Sequence, residues 1–290
     1  MKVKNEKEIS NTKEILYFTF KNKKMIIGMC LFLFFLLLGV FGPYLTQYGP
    51  MDYAGPGYHP PSSEYWLGTT FFGQDVFSQL VHGLRSSFGV GLLGGTIATL
   101  IGLSVGFFAG YKGGVVDEIL MMVTNVMMVI PTIALMIVFA AYLPYRGVTI
   151  QAVIIGCTAW PWTARAVRSQ TFSLKQRNFV SLARITGVKT IKIISGEIAP
   201  NMLSYVFMVY ILQFGGSILA AVTLDFIGLG PTMGISLGLM LENAVLWNAI
   251  QLGMWWWIIP PGLAITLIVG GLYFMNTGLD EIFNPKLREM

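Results

Sequence analysis

The chain has 290 residues, of which 54% are hydrophobic and only 11% charged, against about 25% charged in ordinary soluble domains. Several apolar runs exceed the roughly 18 residues that mark a membrane-crossing helix, which excludes a soluble globular protein and predicts an all-α integral membrane protein. The net charge of +5 lies in two blocks beside apolar runs, a pattern of membrane topology and not of a nucleic-acid groove, so no nucleic-acid partner is expected.

Residues 1–24 hold seven Lys and three Glu and read as a cytoplasmic leader, with 14–20 able to form an interfacial helix. Residues 25–45 are an uninterrupted apolar run, about 31 Å long as a helix, which matches a hydrocarbon core of about 30 Å. The run is too long for a cleaved signal peptide and has no small-x-small site after it, so it is read as an uncleaved first span. Residues 46–85 form an extracytoplasmic segment rich in Pro, Gly and Tyr. Within it, Asp75 to Leu84 carries apolar residues at helical spacing and predicts an amphipathic helix lying on the outer surface.

Residues 86–280 are expected to contain five further spans. Ser86 to Tyr111 is charge-free and glycine-rich, which permits close helix contact. Ile119 to Leu143 is the third span, interrupted by Pro131. Thr149 to Trp162 is the fourth, Met202 to Thr223 the fifth, and Gly253 to Thr277 the sixth, with Trp255, Trp256 and Trp257 at an interfacial belt. Residues 281–290 are a short cytoplasmic tail. On this reading only Arg85 and Arg146 of the nineteen Lys and Arg lie outside, leaving seventeen inside. That asymmetry predicts six spans with both termini in the cytoplasm.

A polar island, Trp160 to Asn201, separates the fourth and fifth spans. Its seven cations (Arg165, Arg168, Lys175, Arg177, Arg184, Lys189, Lys192) face a single acid, Glu197. Inside it Phe179, Val180, Leu182, Ala183 and Ile185 precede Gly187, which predicts a short helix with an exposed apolar face and a left-handed glycine cap. A merely topogenic loop would not need that apolar pattern; a docking element would. If Asn178 caps the helix, position 181 is its third residue, where Ser181 replaces the Glu of a capping box.

Neither a phosphate-cradling loop nor a zinc-hydrolase motif is present. There is no G-x-x-x-x-G-K-[ST] and no H-E-x-x-H. His59 and His82 read as plain surface or interface residues, and Cys30 and Cys157 as small buried apolar residues with neither disulfide nor metal-ligand spacing. Asp225 is read as a helix-end residue at the outer interface in preference to a substrate contact. A secondary carrier would bring a second homologous half and buried ionisable groups. A stand-alone channel fits the composition but leaves the patterned island without a purpose.

The island resembles the Glu-Ala-Ala loop of permease subunits in ATP-binding-cassette (ABC) importers. Ser181-Leu182-Ala183, Gly187 and Ile198-Ala199-Pro200 stand at that loop's spacing, with two of the opening three residues replaced. Further motifs resemble the dipeptide, oligopeptide and nickel branch: W-P-x-x-A-R-x-V-R at Trp160 to Arg168, L-G-T with G-x-D-V between Leu67 and Val76, F-x-G-L-G from Phe226, P-G-L-A-I from Pro261 and N-P-K-L-R from Asn284.

The resemblance covers nearly the whole chain and implies a type I ABC importer permease fold in the plasma (inner) membrane of a prokaryote. It implies that 165–200 is a cytoplasmic coupling loop in which Phe179, Val180, Ser181, Leu182, Ala183, Arg184, Ile185, Gly187 and Pro200 dock on an ATPase. The implied partners are a sister permease, two cytoplasmic ATPase subunits that hold ATP and Mg, an extracytoplasmic substrate-binding protein and the lipid bilayer. The chain itself is then a non-catalytic transport subunit without a cofactor. Two departures, Ala220 to Phe226 with its acid at Asp225, four residues later than in the family, and Met233 to Gly238 in place of Trp-Gly, weaken the transfer of peptide specificity. Peptide remains the first expectation, with oligosaccharide or a nickel or metal chelate as alternatives.

Overall fold

The computed structural model describes residues 21–143 and 146–283. Most of the leader, the expected interfacial helix at 14–20 and the tail motif at 284–288 lie outside them. Within the described residues the architecture is helical: α1 (Lys23–Phe41, followed by a 3-10 turn Gly42–Tyr44), α2 (Val76–Lys112), α3 (Gly114–Val129), α4 (Thr132–Ala141), α5 (Val148–Lys175), α6 (Asn178–Ile185), α7 (Thr190–Ile193), α8 (Ala199–Asn201), α9 (Leu203–Leu224), α10 (Leu237–Leu246) and α11 (Trp255–Phe283). Four helical runs are long and apolar enough to cross a membrane: Lys23–Tyr44, Val76–Lys112, Leu203–Leu229 and Trp255–Phe283. The pair α3 and α4 makes a fifth if counted as one span, bent by 81°.

Three expectations change. Residues 75–84 are helical, but they are the first turns of α2, a single helix of 37 residues, and not a separate surface helix. Its start is fixed by Asp75, whose carboxylate accepts from the Ser78 amide at 2.8 Å, satisfying one of the orphan donors of a helix N-terminus. The polar run Arg85-Ser86-Ser87 does not end it, because Ser87 is buried and its hydroxyl accepts from the Leu237 amide. The third span is two helices, since Pro131 lacks an amide and forces Ile130 into extended backbone (ψ 126°). The fourth helix runs on through Pro161 to Lys175, so much of the basic island is its C-terminal extension.

Packing follows from small residues, because lipid removes the hydrophobic drive between helices and leaves van der Waals fit to hold them. Gly94, Gly102, Gly106 and Gly110 form one ridge of α2 at multiples of four residues. A Cβ on Gly102 would stand 2.5 Å from Thr163, one on Gly106 2.7 Å from the Ala164 carbonyl, and one on Gly110 2.7 Å from the Arg168 carbonyl, all on α5. Contacts that ascend together on both helices mean that α2 and α5 run parallel. α9 is antiparallel to α5: Gln213 donates to the Ala159 carbonyl at 3.0 Å and to Thr163 at 2.6 Å, while Gln151 meets Asp225. α1 and α11 are antiparallel, with Gly28 against Gly271 and Met25 against Gly278. Their ends are tied by Lys24 and Asn22 on Glu281, at 2.5 and 2.7 Å.

The segment 46–75, between α1 and α2, is irregular but fastened. Tyr65 donates to the Ala54 carbonyl at 3.1 Å and Thr69 to the Pro56 carbonyl at 2.7 Å. The Trp256 indole donates to the Thr69 carbonyl at 3.1 Å, pinning the segment to the start of α11.

Candidate functional site

The loop between α5 and α9 is built by two extended residues and two helix ends. α5 closes at Gln176, and Arg177 takes extended backbone (φ −76°, ψ 146°) so that the chain turns into α6. Arg177, not Asn178, is the N-cap, and no side chain caps the helix. The expected capping arrangement around Ser181 therefore does not form: Asn178 is already the first helical residue, which shifts the register by one. The Ser181 amide is instead bonded to the Arg177 carbonyl at 3.2 Å.

The C-terminus of α6 is the glycine cap that the sequence predicts. Gly187 has φ +75°, its amide donates to Arg184 at 3.1 Å, and the Val188 amide reaches back to Ala183 at 3.1 Å. This is the paired-bond Schellman arrangement, which needs a left-handed residue and turns the chain sharply away. Lys189 is extended again (ψ 141°) and opens α7. Before Pro200 the backbone widens into a π turn, Ile194–Ile198. Pro200 lies in the first turn of α8, where its missing amide is harmless, and Met202 leaves helical geometry before α9 begins. The π turn has no signal in the sequence beyond the proline that follows it.

The residues of α6 divide sharply by burial. Val180 is 0% exposed and belongs to a cluster with Phe107, Tyr111, Val167, Ile193 and Ile198, which fixes the short helix to its own chain. The resemblance puts Val180 on the docking face; it cannot serve there, because its surface is spent internally. Leu182 and Ile185 are 63% and 84% exposed, and Phe179 36%. Beyond Gly187, Val188 and Ile191 are exposed as well. Ser181 and Ala183 are half-buried flanks, while Arg184 and Gly187 are exposed, as are Arg177, Lys189 and Lys192. An apolar ridge ringed by cations thus projects from the bundle.

Two cations of the island face elsewhere. Arg168 makes a bidentate ion pair with Asp117 on α3, and Arg165 donates to Asn125 at 2.7 Å. Both strap α3 to α5 and contribute nothing to the ridge.

At the other end of α9 the structure corrects the reading of Asp225. It is 1% exposed, accepts from the Gln151 amide at 2.6 Å and from the Ser236 hydroxyl at 2.5 Å, and is pressed by Gly230 and Gly238. It is a buried knot and not an interfacial helix end. Ser236 also caps α10 by accepting from the Leu239 amide at 3.1 Å. Among the described residues, no group of three or more His, Cys, Asp or Glu is placed to hold a metal ion.

Long apolar helices packed on glycine ridges, with a cation-ringed apolar ridge projecting from one end, define a multi-pass inner-membrane protein of the transport class. The comparisons place it more narrowly. Residues 102–289 match the family described as binding-protein-dependent transport system inner membrane component, and the chain belongs to that family. Residues 10–61 match the N-terminal TM domain of oligopeptide transport permease C. The chain is 33% identical over 273 residues to the dipeptide transport system permease protein DppC of Alkalihalophilus pseudofirmus, covering 92% of this chain and 88% of that one. It is 32% identical over 271 residues to DppC of Bacillus subtilis, covering 92% and 83%. It is 27% identical over 290 residues to the oligopeptide transport system permease protein OppC of Bacillus subtilis, covering 98% and 93%.

Proposed function

We propose that this chain is one permease subunit of an ATP-driven importer of dipeptides or oligopeptides, and that α6 is the element through which a separate ATPase moves it. The observation that carries the proposal is the split of α6 into a buried anchor, Val180, and an exposed apolar ridge of Phe179, Leu182 and Ile185. An apolar surface ringed by cations suits a groove with an apolar floor and an acidic rim. A helix anchored on one side and gripped on the other passes displacement to α5, and the glycine ridge passes it to α2.

The peptide assignment rests on the names of the similar permeases, DppC and OppC. Oligosaccharide and metal-chelate transport have no such support. ATP and Mg are then held by two ATPase partners. A sister permease completes the path, and an extracytoplasmic binding protein delivers the substrate.

Helix direction supports six crossings in a type I permease fold. Because α2 and α5 run parallel, the chain between them must return across the bilayer, and the bent pair α3 and α4 occupies that stretch. α5, with 28 residues, is about 42 Å long and spans with length to spare. With α1, α9 and α11 the crossings come to six, which is consistent with the meeting of α1 and α11 ends at Lys24 and Glu281. The Lys-rich leader assigns that shared face to the cytoplasm.

Purification of the detergent-solubilised chain from its own cells tests the reading. A sister permease and two copies' worth of ATPase should accompany it, and the cognate binding protein should retain peptides. Recovery of the chain alone, or a binding protein that retains only sugars or metal chelates, would contradict it.

A further inference from the structure

α3 is an arm with a joint at each end. It leaves α2 through Gly113 and Gly114, whose φ angles are +69° and +54°, and it meets α4 at Ile130-Pro131, where the axis bends by 81°. Of its sixteen residues only Thr124 is buried within the chain, and that hydroxyl donates to the Leu120 carbonyl of the same helix. α4, by contrast, sinks Met136 and Ala140 into a cluster with Val90, Ala152 and Ile155. Apolar packing thus anchors α4 and does little to hold α3.

What holds α3 is α5. Arg168 grips Asp117 with two parallel hydrogen bonds, which fix angle as well as distance, and Arg165 donates to Asn125 at 2.7 Å. Asp117 and Asn125 stand about 12 Å apart along the helix, so the two ties together set the direction of the arm. Beside Arg168 on α5 is Val167, 0% exposed, in the same cluster as Val180 of α6. One apolar cluster and one ion pair therefore connect α6 to α3.

We propose that Arg168 and Asp117, seconded by Arg165 and Asn125, are the linkage through which displacement of α6 swings α3 about its two end joints, and that these four are positioning residues for transport. The proposal rests on the ATPase-coupled reading above. A helix that needed only to be kept in place could use small-residue packing, as α2 does against α5. Two directional polar ties keep α3 aligned with α5 while the joints at Gly113-Gly114 and Ile130-Pro131 turn.

The test uses the complete importer in proteoliposomes, with uptake of Ala-Ala-Ala and ATP hydrolysis measured together. Asp117→Ala should lower the peptide imported per ATP hydrolysed by about fivefold. The exchanged pair, Asp117→Arg with Arg168→Asp, should regain most of that ratio, whereas Arg168→Asp alone should not. Should Asp117→Ala fail to assemble, Asn125→Leu at its exposed position carries the same expectation with about a twofold loss. An unchanged ratio in the assembled variants, even where uptake and hydrolysis fall together, overturns the linkage and leaves the importer reading standing. So does an exchanged pair that melts like the parent yet keeps the low ratio. An unmodified complex whose uptake is independent of ATP overturns both.

Discussion

Gln151 on α5 donates a 2.6 Å hydrogen bond to the buried carboxylate of Asp225 at the end of α9. The two residues are 74 apart in sequence, and the bond joins antiparallel helices where α9 loosens into a turn with Gly228 at φ +79°. Ser236 holds the other carboxylate oxygen and so ties the start of α10 to the same point.

Removing one donor should therefore cost more than removing the charge. Gln151→Leu strands a buried oxygen at about 1–3 kcal/mol and should lower the melting temperature of the detergent-solubilised protein. Asp225→Asn, which can still accept from Gln151, should melt closer to the parent. Equal melting temperatures for the Gln151→Leu variant and the parent would show that the knot carries no stability.

The glycine ridge predicts a sharp contrast between positions. Gly102→Ala puts a methyl within 2.5 Å of Thr163 and should destabilise by about 1–3 kcal/mol through overpacking. Gly216→Ala, whose new methyl meets nothing within 4 Å, should be neutral. Thermal denaturation followed by fluorescence-detected gel filtration compares the two directly.

Gly187 makes no close contact that a Cβ would disturb, but its φ is +75°. Gly187→Val should thus act through backbone strain alone, about 1–2 kcal/mol, loosening the end of α6 without affecting membrane insertion. The expected result is ATP hydrolysis uncoupled from uptake, while Gly187→Asn, which tolerates left-handed backbone, retains coupling. Undiminished uptake by the Val variant would remove the cap from the account.

The two sides of α6 should respond differently to the same substitution. Leu182→Asp lies on the exposed ridge, and loss of an interface anchor costs about 2 kcal/mol or more, roughly 30-fold in affinity. It should weaken ATPase association and leave the melting temperature of the free chain unchanged. Val180→Asp buries an unpaired carboxylate and should destabilise the chain itself. The two readouts, affinity and melting, separate docking from folding.

These contrasts show where sequence reading reaches its limit. The short helix and its glycine cap are legible because apolar spacing and Gly187 act over a few residues. The inward turn of Val180 is not, since the apolar residues of an eight-residue helix face nearly every direction until the bundle selects one side. Pro131 marks a break, but neither its 81° angle nor the return path it permits follows from a proline alone. Pro161 marks nothing, because α5 continues through it. Arg85-Ser86-Ser87 looks like a boundary, yet Ser87 has a distant partner at Leu237. Asp225 escapes a local reading for the same reason: what buries it lies on α5 and at the start of α10, and no neighbouring pattern announces them.

The central claim is that the exposed ridge of α6 is gripped by a cytoplasmic ATPase. Photo-cross-linking amino acids placed singly at 180, 182 and 185 in the intact complex test it most directly. Adducts with the ATPase from 182 and 185, and none from 180, are predicted. No ATPase adduct at any of the three positions, or labelling of Ile185→Cys from outside intact cells, would contradict it.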